Sequence, residues 1–177
     1  MNIGDKLAPF KLPATDGKTY SSFDFADKHA FLIIVTCNHC KYARAYWKRL
    51  IALCEKYEED NLGVVAINGN DATQYPEDSF EGMQRMVSQL GLPFPYLHDE
   101  SQEYLKSLGA TRTPEVFLFN SRRELVYHGA VDDSWDNENA VMQVYLEDAI
   151  EYCLDGLEVD YPEIPPVGCS IKWKADA

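Results

Sequence analysis

"IIVTCNHCKYARAYWKRLIALCEKY", residues 33–57, joins the end of an apolar run to a helical pattern, with a Cys-x-x-Cys pair at the seam. Upstream, Ala30–Thr36 is continuously apolar and β-branched in its middle, as in a fully buried central strand. Downstream, Ala43, Tyr46, Trp47, Leu50, Cys54 and Tyr57 recur three and four apart, which predicts a helix from near Cys37 to about Glu58. Cys37 then falls where outward-pointing amides and the helix dipole favour negative charge. The thiolate is the reactive form of cysteine, and such a position lowers the pKa below its free value of about 8.5. Cys40, one turn further in, has its sulfur within disulfide reach. On this reading Cys37 is the nucleophile, and Cys40 resolves the mixed disulfide from inside the protein.

Two other readings of the pair carry less. A structural zinc site commonly needs four ligands, and the sequence has no second Cys-x-x-Cys or His-x-x-x-His. Two inert core thiols fit poorly at an electropositive strand–helix corner. The spacer is Asn38-His39. His39 either adds a positive charge or a donor beside the thiolate, or is an exposed helix residue with no electronic role.

The 177 residues suggest one domain, and the net charge of −13 argues against nucleic acid and anionic membranes as partners. No stretch approaches the roughly 20 apolar residues of a membrane helix. The opening "MNIGDKLAPF" lacks the pattern of a signal peptide, so a cytoplasmic protein is expected. Five cysteines are too few for a disulfide scaffold, and an odd number cannot all pair internally. In a reducing compartment a close pair is catalytic or metal-binding rather than structural.

Around this seam the chain alternates. "PFKLPATDGKTYSS" turns at Asp16-Gly17 as a hairpin does, and "LGVVAIN" (62–68) is a second buried strand. Helices are expected over Ser79–Leu90, over a short stretch ending at Gly109, and from about Asn139 to Leu154. "PFPYLHD" is extended, and "EVFLFN" and "LVYHGA" flank "SRRE" as an antiparallel hairpin. This order predicts an α/β domain over residues 1–156, a mixed sheet flanked by helices, with residues 157–177 as an irregular tail packed on it. Thr113-Pro114 opens a strand, where proline's missing donor does no harm. A cis bond there would leave the Thr113 N–H and C=O free for an extended substrate chain; an ordinary trans proline is the alternative.

The strand "AFLIIVT", the "CNHC" at a helix start and the "TPEVFLF" strand resemble the thioredoxin superfamily. "GDKLAPFKLPATDGKTYSSFDF" is similar to the N-terminal hairpin of its alkyl hydroperoxide reductase/thiol-specific antioxidant branch. The segment 68–120 and the tail "VGCSIKWK" resemble a peroxiredoxin-like group carrying a thioredoxin-type Cys-x-x-Cys. The resemblance implies a thioredoxin-like fold, a Cys37–Cys40 redox pair needing no other cofactor, and Pro114 as a cis-proline facing it. Thr36, Asn38, His39 and Thr113 would support the pair. The chain departs from thioredoxin proper at Thr36 (tryptophan there), at the Asn38-His39 spacer (Gly-Pro there) and at Phe31, where a buried acid would accept a proton from the resolving thiol. It departs from peroxiredoxins in lacking a threonine three residues before either cysteine, and Arg112 is the only candidate for the arginine over the thiolate.

Cys54 and Cys153 lie on apolar helix faces and read as small core residues. Cys169, in the tail, is either a third thiol brought to the site or a cysteine packed beside Ile171 and Trp173. "DATQYPED" reads as a solvated loop, its carboxylates lacking calcium-loop spacing. Trp47, Trp135 and Trp173 read as core or substrate-side surface. The expected activity is thiol–disulfide exchange with protein or small-molecule thiol and disulfide partners, by a monomer or dimer. The alternatives are a hydroperoxide-reducing thiol peroxidase and a non-enzymatic redox sensor.

Overall fold

The apolar run at 30–36 becomes the centre of a six-stranded sheet in a computed structural model that describes residues 1–175. In chain order the elements are β1 (Lys11–Pro13), β2 (Thr19–Ser21), β3 (Ala30–Val35), α1 (Lys41–Lys56), β4 (Leu62–Asn68), α2 (Phe80–Leu90) and β5 (Tyr96–His98). There follow α3 (Glu103–Leu108), β6 (Arg112–Thr113), β7 (Glu115–Phe119), β8 (Leu125–Gly129), α4 (Tyr145–Leu154), β9 (Glu163–Ile164) and β10 (Cys169–Ser170). The main sheet runs β5-β4-β3-β7-β8-β9. β3 pairs parallel with β4 and antiparallel with β7, giving the mixed, thioredoxin-like arrangement.

Every residue of β3 is buried, because both faces of the sheet are covered. Ala30, Leu32 and Ile34 face a core shared with α1, α2 and α4, where Tyr46, Trp47, Leu50, Met83, Leu146 and Ile150 pack. Phe31, Ile33 and Val35 face the other core, built by α3 and the N-terminal segment through Phe10, Phe25, Leu105 and Leu108. Each fully buried aliphatic or aromatic side chain there contributes about 1.5–3 kcal/mol by leaving water.

Three boundaries differ from the sequence expectation. α1 begins at Lys41 rather than near Cys37. α4 begins at Tyr145, and Glu138–Ala140 is only a 3-10 turn. The intervening amides are taken elsewhere: Met142 N–H donates to Asp133 Oδ1 at 2.9 Å, and Leu146 N–H to the Val131 carbonyl at 3.1 Å. The tail is not irregular throughout. β9 adds the sixth strand beside β8, and β10 pairs antiparallel with β6.

His128 helps hold β9 in place. Its ring stacks on Phe117, its Nε2 lies 3.2 Å from Glu163 Oε1, and its Nδ1 lies 3.7 Å from Glu115 Oε2, a charge pair rather than a hydrogen bond. Glu115 first, and then Glu163, raise its pKa above the ordinary 6.5 against the opposing effect of burial. A group whose folded pKa is raised stabilises the fold fully below its unfolded pKa and loses that contribution as pH rises through the folded value. The urea midpoint of the wild type should therefore fall, relative to that of His128→Gln, as pH is taken from mildly acidic to mildly alkaline. Parallel pH profiles for the two proteins would refute this role.

Candidate active site

The sheet register sets the site. Val35, the last residue of β3, lies between Ile67 of β4 and Glu115 of β7. The chain leaving β3 therefore passes between the loop after β4 and the turn before β7. Thr36 donates its N–H to the Ile67 carbonyl at 3.0 Å, and its buried hydroxyl has no partner among the described residues. Cys37–Cys40 follows as a non-helical loop, and Cys40, with extended φ −70° and ψ 128°, is the N-cap of α1. The loop is tied from outside through Asp78. The Asn38 N–H donates to Asp78 Oδ1 at 2.6 Å, and His39 Nδ1 meets Asp78 Oδ2.

Both sulfurs converge on Thr113. Cys37 Sγ lies 3.4 Å from the Thr113 hydroxyl, and Cys40 Sγ lies 3.5 Å from the Thr113 carbonyl oxygen. The Thr113–Pro114 peptide is cis. Cys37 and Cys40 are 0% and 1% exposed, so this pair is roofed over rather than open at a helix mouth.

The two thiols differ in charge preference. A hydrogen bond from the Cys37 thiol is the first cause holding the Cys40 pKa well below the thiol range, with the Cys169 thiol and the Ala43 amide adding to it and burial opposing. Cys37 is pushed far up, first by Cys40, then by burial, then by the charge of Asp78; the Thr113 hydroxyl works the other way. When protonated, Cys40 donates to the Thr113 carbonyl, a contact its thiolate gives up. These directions favour the thiolate on Cys40 and the proton on Cys37. The sequence expectation puts the start of the helix near Cys37; the structure makes Cys40 its N-cap.

Asp78 is the residue that sequence reasoning missed. Its side chain is fully buried, although "DATQYPED" reads as a solvated loop. The middle of that loop is exposed, but Asp71 and Asp78 turn inward. Besides Asn38 and His39, Asp78 accepts from Asn68 Nδ2 at 3.2 Å and from Asn70 Nδ2 at 3.1 Å. A carboxylate leaves water only with such partners. Asp78 is a buried acid near Cys37, while position 31 is Phe31. Phe31 packs between Phe10 and Phe25. A run of asparagines ahead of the acid was the only available signal.

Other predicted residues fall as follows. His39 is half-buried in the loop and stacked on Tyr75 at 5.2 Å, not an exposed helix residue. Asn38 is an anchor: its amide donates to the Glu77 carbonyl at 3.0 Å and its oxygen accepts from Tyr96 at 2.8 Å. Arg112 is exposed, and no hydrogen bond or ion pair joins its guanidinium to either thiol among the described residues. Cys54 is core, its thiol pushed up to about 12 by burial, and Cys153 is half-buried with its thiol at about 11 for the same first reason. Cys169 comes to the site and packs on the Cys37–Cys40–Ala43 cluster. Trp47 is core, Trp135 packs tilted against Tyr42 beside the start of α1, and Trp173 is exposed. Cys37, His39 and Asp78 bring one ligand atom each within 4.8 Å of one another, but the Asp78 oxygens are already occupied by four protein donors.

A model of the Redoxin family matches residues 2–145. The chain is 25% identical over 125 residues to the thiol-disulfide oxidoreductase ResA of Halalkalibacterium halodurans, a match covering 70% of this chain and 65% of that one. Among solved structures, an uncharacterized conserved protein of Geobacillus kaustophilus aligns with a TM-score of 0.94 and 38% identity, over 99% of this chain and 94% of the other. A thiol:disulfide interchange protein DsbE from Chlorobium tepidum, at 20% identity, shares the fold with a TM-score of 0.71 over 87% of this chain and 99% of that one.

Asp78→Asn removes the charge that helps keep the proton on Cys37 and leaves one acceptor oxygen where two served four donors. The pH midpoint of Cys37 alkylation, read by peptide mass mapping, should move down, and the fold should lose about 1–3 kcal/mol. An unmoved midpoint would show that the Asp78 charge does not act on Cys37.

Proposed function

We infer that this chain, which belongs to the redoxin family, is a thiol–disulfide oxidoreductase working through Cys37 and Cys40. The observation that carries this reading is the convergence of both sulfurs on Thr113 beside the cis Pro114. The name of the ResA relative supports it. In the reduced protein the Cys40 thiolate displaces one sulfur of a disulfide brought to it, forming a mixed disulfide. Cys37 then attacks Cys40 Sγ, its proton passing to water or to the departing sulfur. The second sulfur leaves as a thiol, and the two electrons gained by the substrate's two sulfurs are those lost in forming Cys37–Cys40. Run backwards, the same steps oxidise a dithiol.

The substrate class is a protein or small-molecule disulfide or dithiol, and the two cysteines themselves hold the electrons. A reducing, cytoplasmic setting belongs to the same proposal, supported by five cysteines without a disulfide scaffold. Hydroperoxide reduction is less well supported, because Arg112 stands away from the thiols and no threonine precedes either cysteine by three residues.

Reduction of insulin by dithiothreitol, catalysed by the wild type, should fall by about a hundredfold or more in both Cys37→Ser and Cys40→Ser. A single reversible disulfide should map to Cys37–Cys40. Hydroperoxide turnover without insulin reduction would make the protein a peroxidase. A reversible disulfide with neither activity would make it a sensor.

A further inference from the structure

Both redox sulfurs are buried, yet the reaction needs a partner sulfur at Cys40. The structure already puts one there. Cys169 of β10 is the register partner of Thr113 in β6, the residue whose carbonyl faces Cys40 and whose hydroxyl faces Cys37. The Thr113 edge, expected to stay free for an extended substrate, is occupied by the chain's own tail.

The tail is held closely. A Cβ on Gly168 would lie 2.2 Å from the Thr113 oxygen, so only glycine permits the strand to approach so near. Beyond Cys169, Ile171 N–H donates to the Thr111 carbonyl at 3.2 Å, Lys172 N–H to Asn70 Oδ1 at 2.9 Å, and Lys174 N–H to Gln102 Oε1 at 2.9 Å. Before it, β9 is paired with β8. Cys169 is thus presented to the pair on an extended strand pinned at both ends. It is half-buried, more open than either sulfur of the pair. Burial first, and Cys40 second, push its thiol up to about 11. The second cause is relieved once Cys40 enters a disulfide.

We propose that Cys169 is a third redox thiol that relays electrons between the buried pair and an external partner, the tail strand standing where a substrate strand would bind. The relay rests on the oxidoreductase reading and deepens it. In the oxidised protein the Cys169 sulfur attacks Cys40 Sγ: the Cys40–Cys169 bond forms, the Cys37–Cys40 bond breaks, and the proton lost by Cys169 ends on Cys37. No outside oxidant is needed, because one disulfide replaces another. A partner thiolate then attacks Cys169 Sγ, releasing Cys40 as the thiolate its surroundings favour. The Cys169–partner mixed disulfide is resolved by the partner's second thiol. In the reverse direction Cys169 attacks a partner's disulfide and releases one thiol, Cys40 attacks Cys169 Sγ and releases the other, and Cys37 then attacks Cys40 Sγ and frees Cys169.

The test uses the full chain, oxidised with oxidised dithiothreitol, acid-quenched, alkylated and mapped by mass spectrometry. Cys37→Ser should yield a Cys40–Cys169 cross-linked peptide. Cys169→Ser should keep the Cys37–Cys40 disulfide but reduce insulin about tenfold more slowly, since an intramolecular sulfur has been lost. Gly168→Ala, which leaves all five cysteines in place, should lower insulin reduction in the same way. Absence of the Cys40–Cys169 peptide, or unchanged insulin turnover in Cys169→Ser, overturns the relay and leaves the oxidoreductase reading standing. Failure of the wild type to form Cys37–Cys40 overturns both.

Discussion

A carboxylate removed from water must find donors for its oxygens or lose several kcal/mol, and the site is assembled around that requirement at Asp78. Its donors come from both sides of the centre: Asn38 and His39 from the loop after β3, Asn68 and Asn70 from the end of β4. Through Asn38 and His39, Asp78 ties down the loop that precedes α1. After Cys40 and burial, its charge is a further cause that pushes the Cys37 thiol up. Gly82 lets this arrangement form, since a Cβ there would lie 2.3 Å from the Glu77 carbonyl and push α2 off the turn that carries Asp78.

What the sequence makes legible is what short-range rules decide. β3 and β4 follow from unbroken β-branched runs, α2 from Ser79, whose hydroxyl accepts the Gly82 N–H at 3.1 Å, and the end of α3 from Gly109 at φ +74°. The Cys-x-x-Cys pair and the proline opening a strand are visible for the same reason. The start of α1 is not, because the periodicity of 43–57 says which face is buried but not how far back the helix runs. The loop before it is tied to Asp78, forty residues from Asn38, a contact no local pattern announces. The burial of Asp78 is hidden likewise: its neighbours have loop composition, and only the folded chain gathers the amides that make burial tolerable. Two-residue strands such as β9 and β10 are too short to show any period, so the tail yields its role only through its pairing.

The position of the pair follows from the sheet alone. With β3 parallel to β4 and antiparallel to β7, the end of β3 meets the end of β4 and the beginning of β7 at one place. The acid arrives on one side and the Thr113–Pro114 turn on the other. No sequence-local motif brings these three segments together; the register does. Glu115, buried just after the proline, braces the turn from behind by accepting the amides of Thr111 and Arg112 at 2.9 and 3.2 Å.

The tail completes the electrostatics as well as the cover. Charges and dipoles act more strongly where water is excluded, and the same exclusion makes an uncompensated thiolate costly. Over this pair the roof includes Cys169, which packs on the Cys37–Cys40–Ala43 cluster and is one of the causes that lower the Cys40 pKa. The strand that shuts out water therefore supplies part of the compensation that its exclusion demands. Lifting it would admit solvent and remove that contribution together, weakening the distinction between Cys37 and Cys40 as the site opens. Access and thiol asymmetry are thus opposed in a protein whose substrate must displace the tail, and compatible in one where the tail carries the exchanging sulfur.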